Sequence, residues 1–98
     1  MAKFTLAMES GAPAGLGTIG KLYTTANNRV GDYVRDIIVK DTLSASLTLK
    51  SGDYVYIFHV VGSGKFTLTL TDSNSNEIET DPFNTKLGND HLPFNFTV

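Results

Sequence analysis

Between residues 65 and 71 every second side chain is large and apolar: Phe66, Leu68 and Leu70 alternate with Lys65, Thr67, Thr69 and Thr71. A period of two puts neighbouring side chains on opposite sides of an extended backbone, so this segment reads as a strand with one face in a core and one in water. Phe4, Leu6 and Met8 repeat the pattern near the start of the chain. Leu43, Ala45, Leu47 and Leu49 repeat it again, between Ser44, Ser46, Thr48 and Lys50. No stretch sustains the 3.6-residue stripe of an amphipathic helix.

The remaining strands are less regular. Residues 33–40 rest on Val34, Ile37, Ile38 and Val39, and Leu92, Phe94, Phe96 and Val98 close the chain. Residues 18–25 contain Ile19, Leu22 and Tyr23, but their alternation slips. Residues 54–61 are apolar on both sides except at His59, so they belong in the interior of a sheet. Ser51-Gly52-Asp53, Gly62-Ser63-Gly64 and the stretch from Ala26 to Arg29 carry turn chemistry. Residues 51–70 therefore read as a hairpin at the heart of the fold, its register fixed by the inward set Phe66, Leu68 and Leu70. Asp72 to Asn76 make a polar loop, residues 77–80 a short edge segment, and Pro82 starts a loop of about ten residues. Seven to eight short strands predict an all-β fold, an antiparallel sandwich of the jelly-roll or Ig-like kind, as a single domain over residues 1–98.

Composition agrees and excludes several functions. Hydrophobic residues make up 41% of the 98 residues, enough for one core, and only 18% are charged. The net charge is −2, and Arg29, Arg35 and Lys40 are interspersed with Asp32, Asp36 and Asp41. Such a surface lacks the clustered cations that nucleic acid requires. There is no cysteine, which removes disulfides, thiolate nucleophiles and cysteine-held zinc. No membrane-spanning apolar run and no leader-like N-terminal segment is visible, so the expected location is cytoplasmic.

The stretch Gly52-Asp53-Tyr54-Val55-Tyr56-Ile57-Phe58, followed by Gly62-Ser63-Gly64-Lys65-Phe66-Thr67-Leu68-Thr69-Leu70, resembles a hairpin of bacterial pre-peptidase C-terminal domains. Those are β-sandwich accessories of secreted enzymes, related in shape to carbohydrate-binding modules. The resemblance spans roughly a fifth of the chain and implies a sandwich fold. The acidic calcium-site residues expected near that motif are missing here.

Four constellations bear on chemistry. Gly15-Leu16-Gly17-Thr18-Ile19-Gly20 matches G-x-G-x-x-G, and Asp41 lies where a ribose-binding acid would sit. However, the glycines do not directly follow a strand, and residues 21–29 lack a helical apolar stripe, so the segment reads as a β-loop. Asp72-x-Asn74-x-Asn76 copies the first ligand spacings of a calcium loop. Glu77 then replaces the required Gly and Phe83 the bidentate Glu, which leaves at most a loose loop calcium site and otherwise no cofactor. His59 and His91 have no spacing cue to a third metal ligand, and no nucleophile elbow supports a Ser–His–Asp triad, so the chain reads as non-enzymatic. Tyr33, Tyr54 and Tyr56 are the candidate ligand-binding residues, since exposed aromatic rings can stack on a sugar or dock a partner; buried, they are simply core. Asn95-Phe96-Thr97 is a sequon that matters only in a glycosylating secretory pathway.

Two functional expectations follow. One is a non-catalytic recognition module for a glycan or a protein surface. The other is a self-assembling homo-oligomeric subunit, because a small sandwich cannot hide both apolar faces of residues 54–61 and the apolar C-terminal strand as well.

Overall fold

The computed structural model describes residues 1–9, 14–85 and 91–98. Among them the chain forms eight strands and no helix: β1 (Ala2–Met8), β2 (Gly17–Ala26), β3 (Arg29–Lys40), β4 (Ala45–Leu49), β5 (Asp53–Val61), β6 (Gly64–Asp72), β7 (Glu77–Thr85) and β8 (Leu92–Thr97). They build two antiparallel four-stranded sheets, in the orders β4-β1-β6-β7 and β3-β2-β5-β8. The all-β sandwich is thus as expected. Its order differs from the Ig arrangement, in which the first two strands share a sheet; here β1 and β2 lie in opposite sheets.

The alternating residues meet between the layers. Phe4, Leu6, Met8, Leu47, Leu49, Phe66, Leu68 and Leu70 come from one sheet; Leu22, Ile37, Val39, Tyr54, Tyr56, Phe58, Val60, Phe94 and Phe96 come from the other. Phe58, Phe66 and Phe83 form the aromatic bridge between sheets. Phe66 stacks on Phe83 at 5.3 Å between ring centroids, and Phe58 meets Phe83 edge-on at 5.2 Å. Offset and edge-to-face contacts of this kind suit the ring quadrupoles.

Three sequence expectations are corrected. Residues 51–70 are not a hairpin, because β5 pairs with β2 and β8 whereas β6 pairs with β1 and β7. Gly62 and Gly64, both at positive φ, carry the chain from one sheet to the other, so the inward residues of β5 and β6 face each other across the core. The two strands that carry the pre-peptidase resemblance therefore lie in separate sheets. Pro82 does not begin a loop: β7 runs through it to Thr85, opposite Thr67 of β6. The strand can hold a proline because it is the outermost of its sheet, where a missing amide breaks no further ladder. Leu43 precedes β4 rather than opening it; it exchanges both backbone hydrogen bonds with Lys40 in the turn after β3 and is exposed.

The glycine motif serves the sheet. Gly20 lies within β2, where an added Cβ would collide with the Ile57 carbonyl oxygen and stand 2.6 Å from Phe58 Cα. No side chain fits there without moving β5. Gly15, at φ +80°, donates its amide to Asp41 Oδ2 at 3.3 Å, and the Asp41 amide returns a bond to the Leu16 carbonyl. The residue in the ribose-acid position therefore clasps the glycine loop. Between β2 and β3, Asn27 and Asn28 both take positive φ, the conformation of a two-residue hairpin turn whose twist matches the strands.

One polar network crosses the sheet from beneath. Tyr56 is fully buried, and its hydroxyl lies 2.9 Å from Thr18 Oγ1 and 3.1 Å from the Ile37 carbonyl oxygen; Thr18 Oγ1 also lies 3.3 Å from the Val39 carbonyl. The two hydroxyl protons are shared among one another and two β3 carbonyls, linking β5 to β3 past the intervening β2. Burial pushes the Tyr56 phenol up to about 12, despite the opposing hydrogen bond with Thr18. Unfolded, the phenol would titrate near its ordinary 10.0. The folded state then holds a proton that the unfolded state releases, so stability falls as pH rises from about 10 to about 12. Tyr56→Phe is expected to lower stability near neutrality by about 1–2 kcal/mol and to flatten the alkaline loss. Chemical denaturation of both proteins across this pH range checks it; parallel alkaline profiles would contradict the assignment.

Candidate functional site

The outer side of the β3-β2-β5-β8 sheet is the most unusual surface among the described residues. Strand pairing arranges it in rows. Ile38, Ile19 and His59 make one row; Asp36, Lys21, Ile57 and Pro93 the next; Tyr33, Tyr23, Val55 and Asn95 the third. Ile19, Val30, Tyr33, Ile38 and Val61 are 44–55% exposed. Isolated apolar side chains on a surface are ordinary, but a contiguous set across three strands is not.

Its outermost strand accentuates the effect. In β3 only Ile37 and Val39 are buried; Arg29 to Asp36 are all exposed. Register shifts at Leu22/Tyr23 and Tyr23/Thr25 mark bulges in the β2–β3 pairing, and bulges bend a strand and re-aim its side chains. Arg35 ties this open side to the other sheet, its guanidinium donating to the Ser46 carbonyl at 2.9 Å.

A groove of about 330 Å³ runs across the face, lined chiefly by Ile19, Lys21, Ile38, Ile57, His59 and His91. Tyr33 stands at its margin, edge-on to Tyr23 at 6.1 Å, with the Lys21 ammonium 5.7 Å from its ring centre. The Tyr33 hydroxyl donates to Asp36 Oδ1 at 3.0 Å. Partial desolvation and this bond to a carboxylate raise the phenol above its ordinary range. Because the ring is half exposed, the nearby Asp36 is the weightier physical cause.

The three candidate tyrosines are therefore not brought together. Tyr33 alone lies on the exposed face. Tyr56 is inside the core, and Tyr54, 7% exposed, stacks on Phe96 at 5.6 Å while its hydroxyl donates to the Lys50 carbonyl. The physical reason is parity: Tyr54, Tyr56, Phe58 and Val60 share the inward side of β5, leaving Val55, Ile57, His59 and Val61 outward. An aromatic platform of Tyr54 and Tyr56 is corrected accordingly. Tyr54 does line a second, more polar cleft of about 620 Å³, at the end of the sandwich near Asn27, Asn28, Asp53, Glu79 and Asn95.

The calcium-like loop spends its carboxylate on itself. Asp72 Oδ1 accepts the amides of Asn74 and Asn76, each at 2.9 Å, and Oδ2 accepts the Asn76 side-chain amide at 3.3 Å. These bonds, the Asn76 backbone amide foremost, hold the Asp72 carboxyl below its ordinary range. Asn76 thus turns an NH2 donor toward the loop centre, where a calcium ligand would present oxygen. Among the described residues no three His, Cys, Asp or Glu side chains converge on a common point.

Sequence reasoning missed two things: the continuous Ile19–Ile38–Ile57 surface and the meeting of His59 with His91. The slipped alternation in residues 18–25 was the available signal for the first, since Ile19 and Tyr23 have opposite parity to Leu22. No family model, curated protein or solved structure matches the chain.

Because Asp72 is already committed to its own turn, millimolar calcium is expected to leave the melting temperature unchanged. A calcium-dependent rise that Asp72→Asn abolishes would overturn that account.

Proposed function

We propose that this chain is a non-catalytic interaction domain that self-associates through the outer face of the β3-β2-β5-β8 sheet. The observation that carries the reading is the run of half-exposed Ile19, Ile38, Val30, Tyr33 and Val61 across neighbouring strands. Burying such a surface is favourable at roughly 25 cal/mol per Å². The molecule measures 33 × 29 × 19 Å, so its broad faces match the roughly 800 Å² per partner of a stable interface. The charges support a second copy as occupant. Lys21 stands opposite Asp36 in the same row, so the centre of the face carries no net formal charge to repel itself. Aliphatic side chains dominate the patch, and the exposed Tyr33 meets the half-buried Tyr23 edge-on, which suits protein packing better than sugar stacking.

A second reading has one specific observation in its favour. The end cleft lined by Asn27, Asn28, Asp53, Tyr54 and Asn95 offers donors and acceptors suited to a small polar ligand such as a glycan.

Sedimentation at tens of micromolar chain is expected to give a dimer, and Ile19→Asp together with Ile38→Asp a monomer with unchanged circular dichroism. A strictly monomeric wild type would sink self-association. Glycan binding that Asn95→Ala removes while those face substitutions leave it intact would favour the end cleft.

A further inference from the structure

His59 and His91 come from segments 32 residues apart in the chain, and the fold sets them side by side. The β5–β8 ladder is antiparallel and reaches Phe58–Leu92; continued by one residue, it places His59 opposite His91. The ring centroids are 3.9 Å apart with planes tilted by 48°, and both side chains are exposed. Directly opposed residues of an antiparallel pair have Cβ atoms about 4.5–5.5 Å apart, so two imidazoles can reach one ion without backbone movement.

We propose that His59 and His91 form a cross-strand bis-imidazole site for a divalent transition metal of the nickel, copper and zinc group. Imidazole nitrogen suits these ions, whereas calcium and magnesium demand oxygen donors. A metal–nitrogen bond of about 2.0–2.1 Å implies ring centroids about 4.5–5.2 Å apart around a shared ion. The rings as they stand are closer than that by roughly 1 Å, a gap that rotation of two exposed side chains closes. The strands supply the preorganisation: both donors are anchored to neighbouring positions of one ladder, so binding the second nitrogen costs little further entropy.

The surroundings are compatible with a cation. Ile19 pairs with His59 on the β2 side, and Ile57 lies two residues along β5, giving the rings an apolar flank. Among the described residues the charges lining the groove are Lys21 and Asp36, of opposite sign and in one row. Among the described residues no third His, Cys, Asp or Glu completes the set. Both imidazoles are exposed, so an ion between them is reached from solvent and exchanges readily.

Calorimetric titration of the full chain with nickel(II) alone, near neutral pH in a non-chelating buffer, is expected to show one ion per chain. His59→Ala and His91→Ala should each weaken binding by at least about tenfold, the loss expected when a tethered second donor is removed. Copper(II) paramagnetic resonance should report two imidazole nitrogens in the wild type and one in either variant. Acidification should release the ion, because protons compete for the same nitrogens. Equal nickel affinity in the wild type and either alanine variant, or a copper spectrum indifferent to both substitutions, would overturn the site. The readout is separate from self-association: a monomer that binds nickel through both histidines keeps this site, and a dimer that ignores nickel loses it.

Discussion

The hydroxyl of Tyr56, held under β2 against the carbonyl of Ile37, is the contact on which the shape of the second sheet rests. It joins two strands that are not neighbours, and the strand between them must leave space. Gly20 lies in that strand, and its lack of a side chain lets the β5 backbone approach at Ile57 and Phe58. Thr18, in the same inward row of β2, accepts or donates the companion bond. A buried polar group left without a partner would cost more than the bond gains, so the register of β2 against β3 and β5 has little freedom to drift. A slip of one residue would move Tyr56 away from the Ile37 carbonyl and turn Ile19 and Tyr23 inward.

That fixed register determines what the outside looks like. β5 is apolar on both sides, and its inward set is the more aromatic: Tyr54, Tyr56 and Phe58 fill the space between sheets. The outward set then falls in line with Ile19 and Tyr23 of β2 and with Tyr33 and Ile38 of β3. Core construction and surface composition are two consequences of one parity choice. The other sheet behaves differently. Thr5 and Ala7 of β1, and Thr67, Thr69 and Thr71 of β6, make its outward side small and largely polar, as expected of a face left in water. The two outer faces are therefore chemically asymmetric, one apolar and one small and polar.

Much of this was legible in the chain, for a physical reason. Where one face is wet, as in β1, β4 and β6, alternation states directly which residues face inward. Where both faces are apolar, as in β5, the pattern identifies a central strand but not its parity, and so could not decide whether Tyr54 and Tyr56 or Val55 and Ile57 point outward. Strand partners were illegible too. The short Gly62-Ser63-Gly64 link reads as a hairpin turn, yet the same residues permit an arch between sheets, and local chemistry does not separate the two. Asp72 illustrates the same limit on a smaller scale: ligand-like spacing and an Asx-turn use the same residues, and only the hydrogen bonds reveal that the carboxylate faces its own amides.

The histidines extend the point from strands to chemistry. His59 by itself is a polar interruption in an apolar strand, and His91 by itself precedes the final strand; neither position suggests a ligand set. Pairing β5 with β8 makes them neighbours because sheet order converts distance along the chain into lateral contact. An antiparallel ladder is well suited to this, since opposed side chains on one face point the same way from a common backbone frame. The pair also interrupts the apolar face at one corner, next to Ile19, where it leaves two donor groups unobstructed by the core.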